Sequence, residues 1–346
     1  MTQSPAPAPA PAASFQNIAV IGGGAWGTAL ALTAARAGRD VTLWARDAGL
    51  VAEMRARRQN SRYLPGITFD EDLTVTDHLA DCLTADALLL VTPAQTTRDL
   101  LRELGRLGEW RGPVVLCAKG IERGTGQMLS DIVREETRGA EAAVLSGPSF
   151  ADDVARGLPT AVTIAAQTAD TARALCEALA SPAFRPYAST DVTGAQIGGA
   201  LKNVLAIACG AVVGRKLGAS AQAALTARGF AELTRLAQAL GARQETLTGL
   251  SGLGDLILTC SSTQSRNFSF GLELGQGRFA SDLKAAGGKL AEGAHTARIA
   301  VTLGARLGVD LPICQIVSRM VEEDLPIREA VSELMTRPLK SEMTNP

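Results

Sequence analysis

Lys202-Asn203 lies inside an otherwise apolar stretch, Gly194 to Gly214, with Gly198 and Gly199 one helical turn earlier. Small residues on that face let a backbone or a ligand come close, and desolvation lowers a lysine pKa towards the range useful for proton transfer. The plainer reading is a lysine snorkelling from a buried helix to water. Further on, Gly249-Leu250-Ser251-Gly252-Leu253-Gly254-Asp255 delivers one carboxylate, followed by Thr259, Ser265, Arg266 and Asn267. An acid, a guanidinium fork and an amide this close in sequence suit a small polar anion, although an N-cap and a surface salt bridge would use the same residue types. Near the start, Gly22, Gly24 and Gly27 fill the G-x-G-x-x-G positions. The first permits a tight turn, the second lets backbone approach a pyrophosphate, and the third lets helix pack closely on strand.

The elements around these residues decide which reading to prefer. Glycine turns also join strands to helices with no ligand, but here Ile18, Val20 and Ile21 form a buried strand before the turn. A helix through Leu30 and Leu32 runs to near Gly38, and Val41 to Trp44 begins a second strand. The βαβ unit is complete, so dinucleotide binding is expected. The second strand ends at Trp44-Ala45-Arg46-Asp47. An acidic tip takes the ribose hydroxyls of NAD and an arginine takes the 2′-phosphate of NADP; Arg46 comes first, which favours NADP over NAD. A helix is predicted over Glu53 to Asn60, broken by the loop to Gly66. Further strands are Ala87 to Val91, Val114 to Cys117 running into Ala118-Lys119-Gly120, and Ala142 to Leu145 running into Ser146-Gly147-Pro148-Ser149-Phe150-Ala151. Such strand ends face the ligand crevice of a doubly wound sheet, where Lys119 meets phosphate or a substrate oxygen, unless it is an ordinary surface lysine. Thr160 to Ala165 and Arg185 to Ala188 add strands. Beyond Asp191 the pattern turns helical, with Ala221 to Leu240 closed by Gly241. Three segments are expected: a disordered Ala/Pro-rich tail over 1–14, a dinucleotide-binding domain over 15–190, and a helical substrate and catalytic domain over 191–346.

A chain of 346 residues with a net charge of −1 points to neither nucleic acid nor an acidic membrane as partner. Six cysteines without a C-x-x-C and only two histidines assemble no metal site and fit a reducing cytoplasm. Asn203 to Gly214 is too short an uncharged run to span a bilayer, and the tail lacks the basic start and apolar segment of a signal peptide. Oligomeric state stays open, a homodimer included.

In order along the chain stand GGGAWGTALA, NSRYLPG, AKGIE, SGPSFA, GLPTA, GGALKNV, GLGDLILTC, QSRN and AEG. With these nine motifs, from Ile18 to about Arg337, the chain resembles bacterial NAD(P)-dependent glycerol-3-phosphate dehydrogenases. These enzymes interconvert dihydroxyacetone phosphate and sn-glycerol 3-phosphate, supplying phospholipid synthesis. The resemblance implies an α/β fold, an N-terminal Rossmann-like doubly wound sheet followed by an all-α C-terminal domain. It implies Lys202 as catalytic acid/base, with Lys119 and Asp255 beside it. Lys119, Gly147, Ser149, Asp255, Ser265, Arg266 and Asn267 would hold substrate. Ala25, Trp26, Arg46, Lys119, Ala151, Arg266, Leu290 and Glu292 would line the cofactor, with Gly22, Gly24 and Gly27 beneath its pyrophosphate. Two departures stand out: Ala25 replaces a serine often found there, and Lys289-Leu290-Ala291-Glu292 is less apolar than the usual V-V-E run. Carbonyl reduction needs a cation near the oxygen, here Lys202, and an anchor for phosphate, here Arg266 with Asn267, while Asp255 orients the lysine. His78 and His295 are expected to be structural. Other readings are a β-hydroxyacid or polyol dehydrogenase, a redox-sensing regulator without turnover, and a nucleic-acid binder. The Arg266-Asn267 pair, the acid/base set and the balanced charge argue against them in turn.

Overall fold

The computed structural model describes residues 15–286 and 292–339. The N-terminal tail and Leu290 lie outside these residues. Eight strands, β1 Asn17–Ile21, β2 Asp40–Trp44, β3 Thr74–Thr76, β4 Ala87–Leu90, β5 Val114–Leu116, β6 Ala142–Ser146, β7 Thr160–Ala166 and β8 Phe184–Ser189, form one sheet in the order β3-β2-β1-β4-β5-β6-β7-β8. From β3 to β6 all pairings are parallel. Strands such as Ala87–Leu90 are buried at every residue, as central parallel strands covered on both faces must be. Strand order reverses between β1 and β4. That switch point opens a crevice at the strand ends, beside the glycine turn.

Helices α1 Ala25–Arg36, α2 Ala48–Arg57, α3 Thr97–Leu107, α4 Leu129–Glu136, α5 Ala151–Ala155 and α6 Ala169–Leu179 alternate with the strands. Three details differ from the sequence reading. The strand Thr74–Thr76 went unpredicted, because three residues with one apolar side chain carry almost no periodic signal. The helix expected over Glu53 to Asn60 lies earlier, since Asp47 caps it by accepting from the Leu50 N–H at 3.0 Å and Arg58 ends it with a left-handed φ of 49°. Finally, β7 runs antiparallel to β6. The five-residue α5 is too short to carry the chain back along the sheet for a parallel crossover.

Past β8 the chain is helical: α7 Val192–Gly214, α8 Ala219–Ala239, α9 Gln244–Thr248, α10 Asp255–Ser261, α11 Arg266–Gly275, α12 Ala280–Ala285, α13 Glu292–Leu307, α14 Pro312–Glu322 and α15 Ile327–Met335. The centre is α7, buried continuously from Gly194 to Val212. Its 23 residues are long and apolar enough to cross a bilayer by length and composition, but 89% of its most apolar window is buried inside the protein. The longer helix therefore replaces the shorter uncharged run as the relevant length, and it serves as a core. It meets α11 backbone to backbone. A Cβ on Gly271 would lie 2.0 Å from the Ile207 carbonyl oxygen, and one on Gly210 would lie 2.1 Å from that of Phe268. Gly275 and Gly214 continue the seam, where a Cβ on either would lie 2.2 Å from an opposing carbonyl oxygen. No side chain fits there, so α11 is held in one axial position on α7.

A buried carboxyl ties the outer helices together. Glu232 on α8, 2% exposed, accepts from the N–H groups of Ile313 at 2.8 Å and Cys314 at 3.3 Å in the first turn of α14. Burial pushes its pKa up to about 7 in spite of those donors. The folded state therefore holds this proton more tightly than the unfolded chain. Its stabilisation is full below the unfolded value of 4.5 and is lost as pH rises towards 7. Urea midpoints at pH 5 and 7.5 should show wild type losing up to ~3 kcal/mol more than Glu232→Gln over that interval. Identical pH dependence in the two proteins would mean that ionising this group costs nothing.

Candidate active site

Where the sheet edge meets α7, three charged side chains converge. Lys202 Nζ, on α7, donates to Asp255 Oδ1 at 2.5 Å, and Lys119 Nζ, just past β5, donates to Asp255 Oδ2 at 2.7 Å. Lys202 also donates to Thr259 Oγ1 at 2.8 Å, and that hydroxyl gives its own proton to the Asp255 carbonyl oxygen at 2.6 Å. The glycines of 249–254 explain how Asp255 reaches this place. They form a wide turn of π-helix, with the Gly254 N–H on the Gly249 carbonyl at 3.0 Å. The turn presses against α7 so closely that a Cβ on Gly198 would lie 2.6 Å from the Ser251 carbonyl oxygen.

Asp255 is 1% exposed and Lys202 is 6% exposed. Burial lowers the Lys202 pKa to about 7, against the attraction of Asp255 and with help from the neighbouring Lys119 ammonium. One carboxylate shared between two ammonium groups cannot hold both at full strength. An ammonium has three N–H donors, and Lys202 spends two on Asp255 and Thr259, leaving one.

The residues expected from the sequence to bind an anion gather at the start of α11. Ser265 caps the helix by accepting from the Phe268 N–H at 3.3 Å. Arg266, the first helical residue, is exposed and makes no salt bridge or side-chain hydrogen bond among the described residues. Asn267 Oδ1 accepts from the Gly293 N–H at 2.9 Å, which leaves its amide protons as donors. Glu292, at the start of α13, has its pKa raised by burial, opposed by the pull of Arg266, Lys119 and Lys202. At the end of β6, the Gly147 carbonyl accepts from Lys119 Nζ at 3.3 Å and from the Ser149 hydroxyl at 3.0 Å, and Ala151 opens α5.

The glycine turn has the shape a dinucleotide requires. A Cβ on Gly27 would collide with the Gly22 carbonyl oxygen at 1.8 Å, whereas the space beside Gly24 is open. Among the described residues no side chain caps the N-terminus of α1, and its N–H groups are available to a pyrophosphate. Trp26 Nε1 and Thr92 Oγ1 are buried without a hydrogen-bond partner among the described residues. Such groups cost about 1–3 kcal/mol each when unsatisfied, so a polar ligand there offsets a real penalty. Behind the turn, Asn60 Nδ2 holds the Gly23 carbonyl at 3.0 Å and Thr28 Oγ1 at 2.8 Å. An open groove of about 870 Å³ along β8, bordered by Tyr187, Arg243 and Thr246, touches the outer side of the π-helical turn at Gly249 and Leu250 but is lined by none of the charged residues of the cluster or of the glycine turn.

Residues 17–172 match the family model of the NAD-dependent glycerol-3-phosphate dehydrogenase N-terminus, and residues 191–332 match that of its C-terminus. The chain belongs to this family. Among relatives of the same name, the glycerol-3-phosphate dehydrogenase [NAD(P)+] of Bradyrhizobium diazoefficiens is 56% identical over 95% of this chain and 99% of its own length. That of Parvibaculum lavamentivorans is 52% identical over the same shares. Among solved structures, glycerol-3-phosphate dehydrogenase from Coxiella burnetii superposes with a TM-score of 0.87 at 39% identity, covering 93% of this chain and 99% of that one. The fold is accordingly that of a glycerol-3-phosphate dehydrogenase, a Rossmann-like sheet followed by a helical domain. In this member of the family, sequence reasoning named Thr259 and Asn203 but assigned neither a role of its own. Thr259 stands one helical turn after Asp255, a signal that was there to be read. Asn203 Nδ2 reaches the Lys119 carbonyl at 3.4 Å across 84 residues, and no local pattern announces that contact.

Proposed function

We infer that the protein is an NAD(P)-dependent oxidoreductase that interconverts dihydroxyacetone phosphate and sn-glycerol 3-phosphate. The observation that carries this reading is the uncommitted third N–H of Lys202, buried among Asp255, Lys119 and Thr259, with a phosphate-type anchor on the adjoining helix. The bound cofactor supplies the hydride equivalent to the ketone carbon. Lys202 gives its proton to the oxygen as negative charge develops there, and takes one back in the alcohol-oxidising direction. Asp255 aims the ammonium and Thr259 fixes its second N–H, so the remaining proton has one direction in which to point. Lys119 adds a second positive charge where the oxyanion forms. Arg266, Asn267 and the N–H groups opening α11 grip the phosphate. Gly147, Ser149 and Ser265 are read as further substrate contacts, and Trp26, Ala151 and Glu292 as cofactor contacts. Dihydroxyacetone phosphate should cause oxidation of NADH or NADPH, followed by the loss of dihydronicotinamide absorbance; no substrate-dependent change with either cofactor would overturn the assignment.

The preference between cofactors rests on Arg46 and its neighbour. Asp47 is occupied twice, by the cap on Leu50 and by Arg62 at 2.5 Å, and the Arg62 guanidinium holds its carboxyl below the usual range. A carboxylate so engaged is a poor partner for ribose hydroxyls. Arg46 makes no such bond among the described residues and stands ready for a 2′-phosphate, which favours NADP. Arg46→Ala should raise KM for NADPH roughly tenfold or more and leave KM for NADH within about twofold. Equal losses with both cofactors would make Arg46 structural. All six cysteines are unpaired, which supports a reducing compartment such as the cytoplasm, and the product suits phospholipid synthesis.

A further inference from the structure

Lys119 sits on the connection after β5, and connections of that kind move unless something holds them. Here the hold is unusually dense. Gln95, between β4 and α3, clasps the connection twice, donating to the Ile121 carbonyl at 2.8 Å and accepting from the Arg123 N–H at 2.9 Å. The Ile121 side chain is 1% exposed and packs in the core of the helical domain. Arg98 on α3 grips the Glu122 carboxylate with both arms of its fork, Nε at 2.8 Å and Nη2 at 2.9 Å. The same guanidinium reaches Glu135 at 2.8 Å, Glu136 at 2.5 Å and Gln127 at 2.5 Å. The two side chains of the fork are only 16% and 12% exposed. Isolated surface ion pairs do little, but a bidentate, partly buried fork in a network constrains direction as well as distance. The partners of Arg98 all lie on α4 or on the 122–127 segment, so neither member of the fork is spent on the Lys202 cluster.

We propose that the Arg98–Glu122 fork, with Gln95, is the device that positions Lys119 against Asp255, which makes Arg98 and Glu122 positioning residues for the reaction. This rests on reading Lys119, Lys202 and Asp255 as the reacting centre. The lever is short: two residues, Gly120 and Ile121, separate the gripped carboxylate from the ammonium, and the backbone on either side is tied down by Gln95 at the Ile121 carbonyl and the Arg123 N–H and by Asn203 at the Lys119 carbonyl. With the fork released, the Lys119 ammonium no longer shares Asp255 fully with Lys202. Lys202 then faces a less divided carboxylate and a weaker repulsion. The other ionisable groups around it, Glu292 from α13 and Cys260 from α10, stay where they are. Its proton affinity should rise.

The test is a double-mutant cycle of Glu122→Gln against Lys119→Met, with Arg98→Lys as a second way to break the fork and Arg102→Ala as a control. Arg102 pairs with Glu136 at the exposed rim. Each protein is assayed for kcat and KM with dihydroxyacetone phosphate across pH, well below its Tm. Glu122→Gln and Arg98→Lys should lower kcat about tenfold and move the alkaline fall of kcat to higher pH, while Arg102→Ala stays within twofold of wild type. In the Lys119→Met background, Glu122→Gln should add nothing, because the group it positions is gone. Additive losses, or a lower Tm with unchanged kcat and pH profile, would show that the fork only holds α3 to α4. If Lys119→Met itself leaves kcat and its pH profile untouched, the reading of the centre fails, and the proposal falls with it. A crippled Lys119→Met beside a normal Glu122→Gln overturns the positioning role alone.

Discussion

Lys202→Ala should lower kcat by at least ~10² while cofactor Kd stays near the wild-type value. The group lost is a buried ammonium with a donor to spare, and the glycine turn proposed to hold the cofactor is built from other elements. The pH behaviour follows from the lowered pKa of about 7. In ketone reduction the lysine must start protonated, so kcat should fall as pH rises through that value. In alcohol oxidation it must start neutral, so kcat should rise over the same interval. Lys202→Arg should not restore either profile, since a guanidinium does not give up its proton in the working range. A Lys202→Ala enzyme that kept more than a tenth of kcat with the wild-type profile would pass the role to another donor, with Lys119 first in line.

The second large effect concerns the substrate's phosphate. Unphosphorylated dihydroxyacetone should be reduced with a kcat/KM more than a hundredfold below that of dihydroxyacetone phosphate. It forfeits the fork of Arg266 and the helix N-terminus behind it, a loss of roughly 3 kcal/mol or more in transition-state binding. Arg266→Ala should remove most of that discrimination by weakening the phosphorylated substrate alone. Comparable efficiency on the two ketones in the wild-type enzyme would show that α11 does not bind phosphate.

The sequence made the sheet legible wherever the signal was local. Strands such as Ala87–Leu90 are apolar at every position, and the switch from strand to helix at Gly22–Gly27 is written in the residues themselves. It failed where structure depends on distant partners or on weak local signal. Thr74–Thr76 becomes a strand because β2 offers it an edge, and β7 turns antiparallel because α5 is short. The same division applies to the site. Lys202 announces itself as a charge in an apolar helix, and Arg266-Asn267 as a fork beside an amide. That Lys119 shares a carboxylate with Lys202 cannot be read locally, since 136 residues separate Lys119 from Asp255. Nor does sequence reveal that Asp47 is already engaged by Arg62, a fact that bears on which cofactor the β2 tip favours.

The glycine seam between α7 and α11 has a bearing on how such an enzyme changes its substrate. Lys202 is carried by one of these helices and Arg266 by the other, and their carbonyls stand where any Cβ would have to go. On the proposed roles of Lys202 and Arg266, the span between proton donor and phosphate anchor is thus a fixed gauge, cut to one length of carbon skeleton. Point mutation at the seam would wedge the helices apart and loosen both ends of the gauge together. A descendant acting on a longer phosphorylated ketone is therefore expected to gain its room elsewhere, in the connections that carry Lys119, Gly147 and Ser149, with the two helices passed on as an unaltered frame.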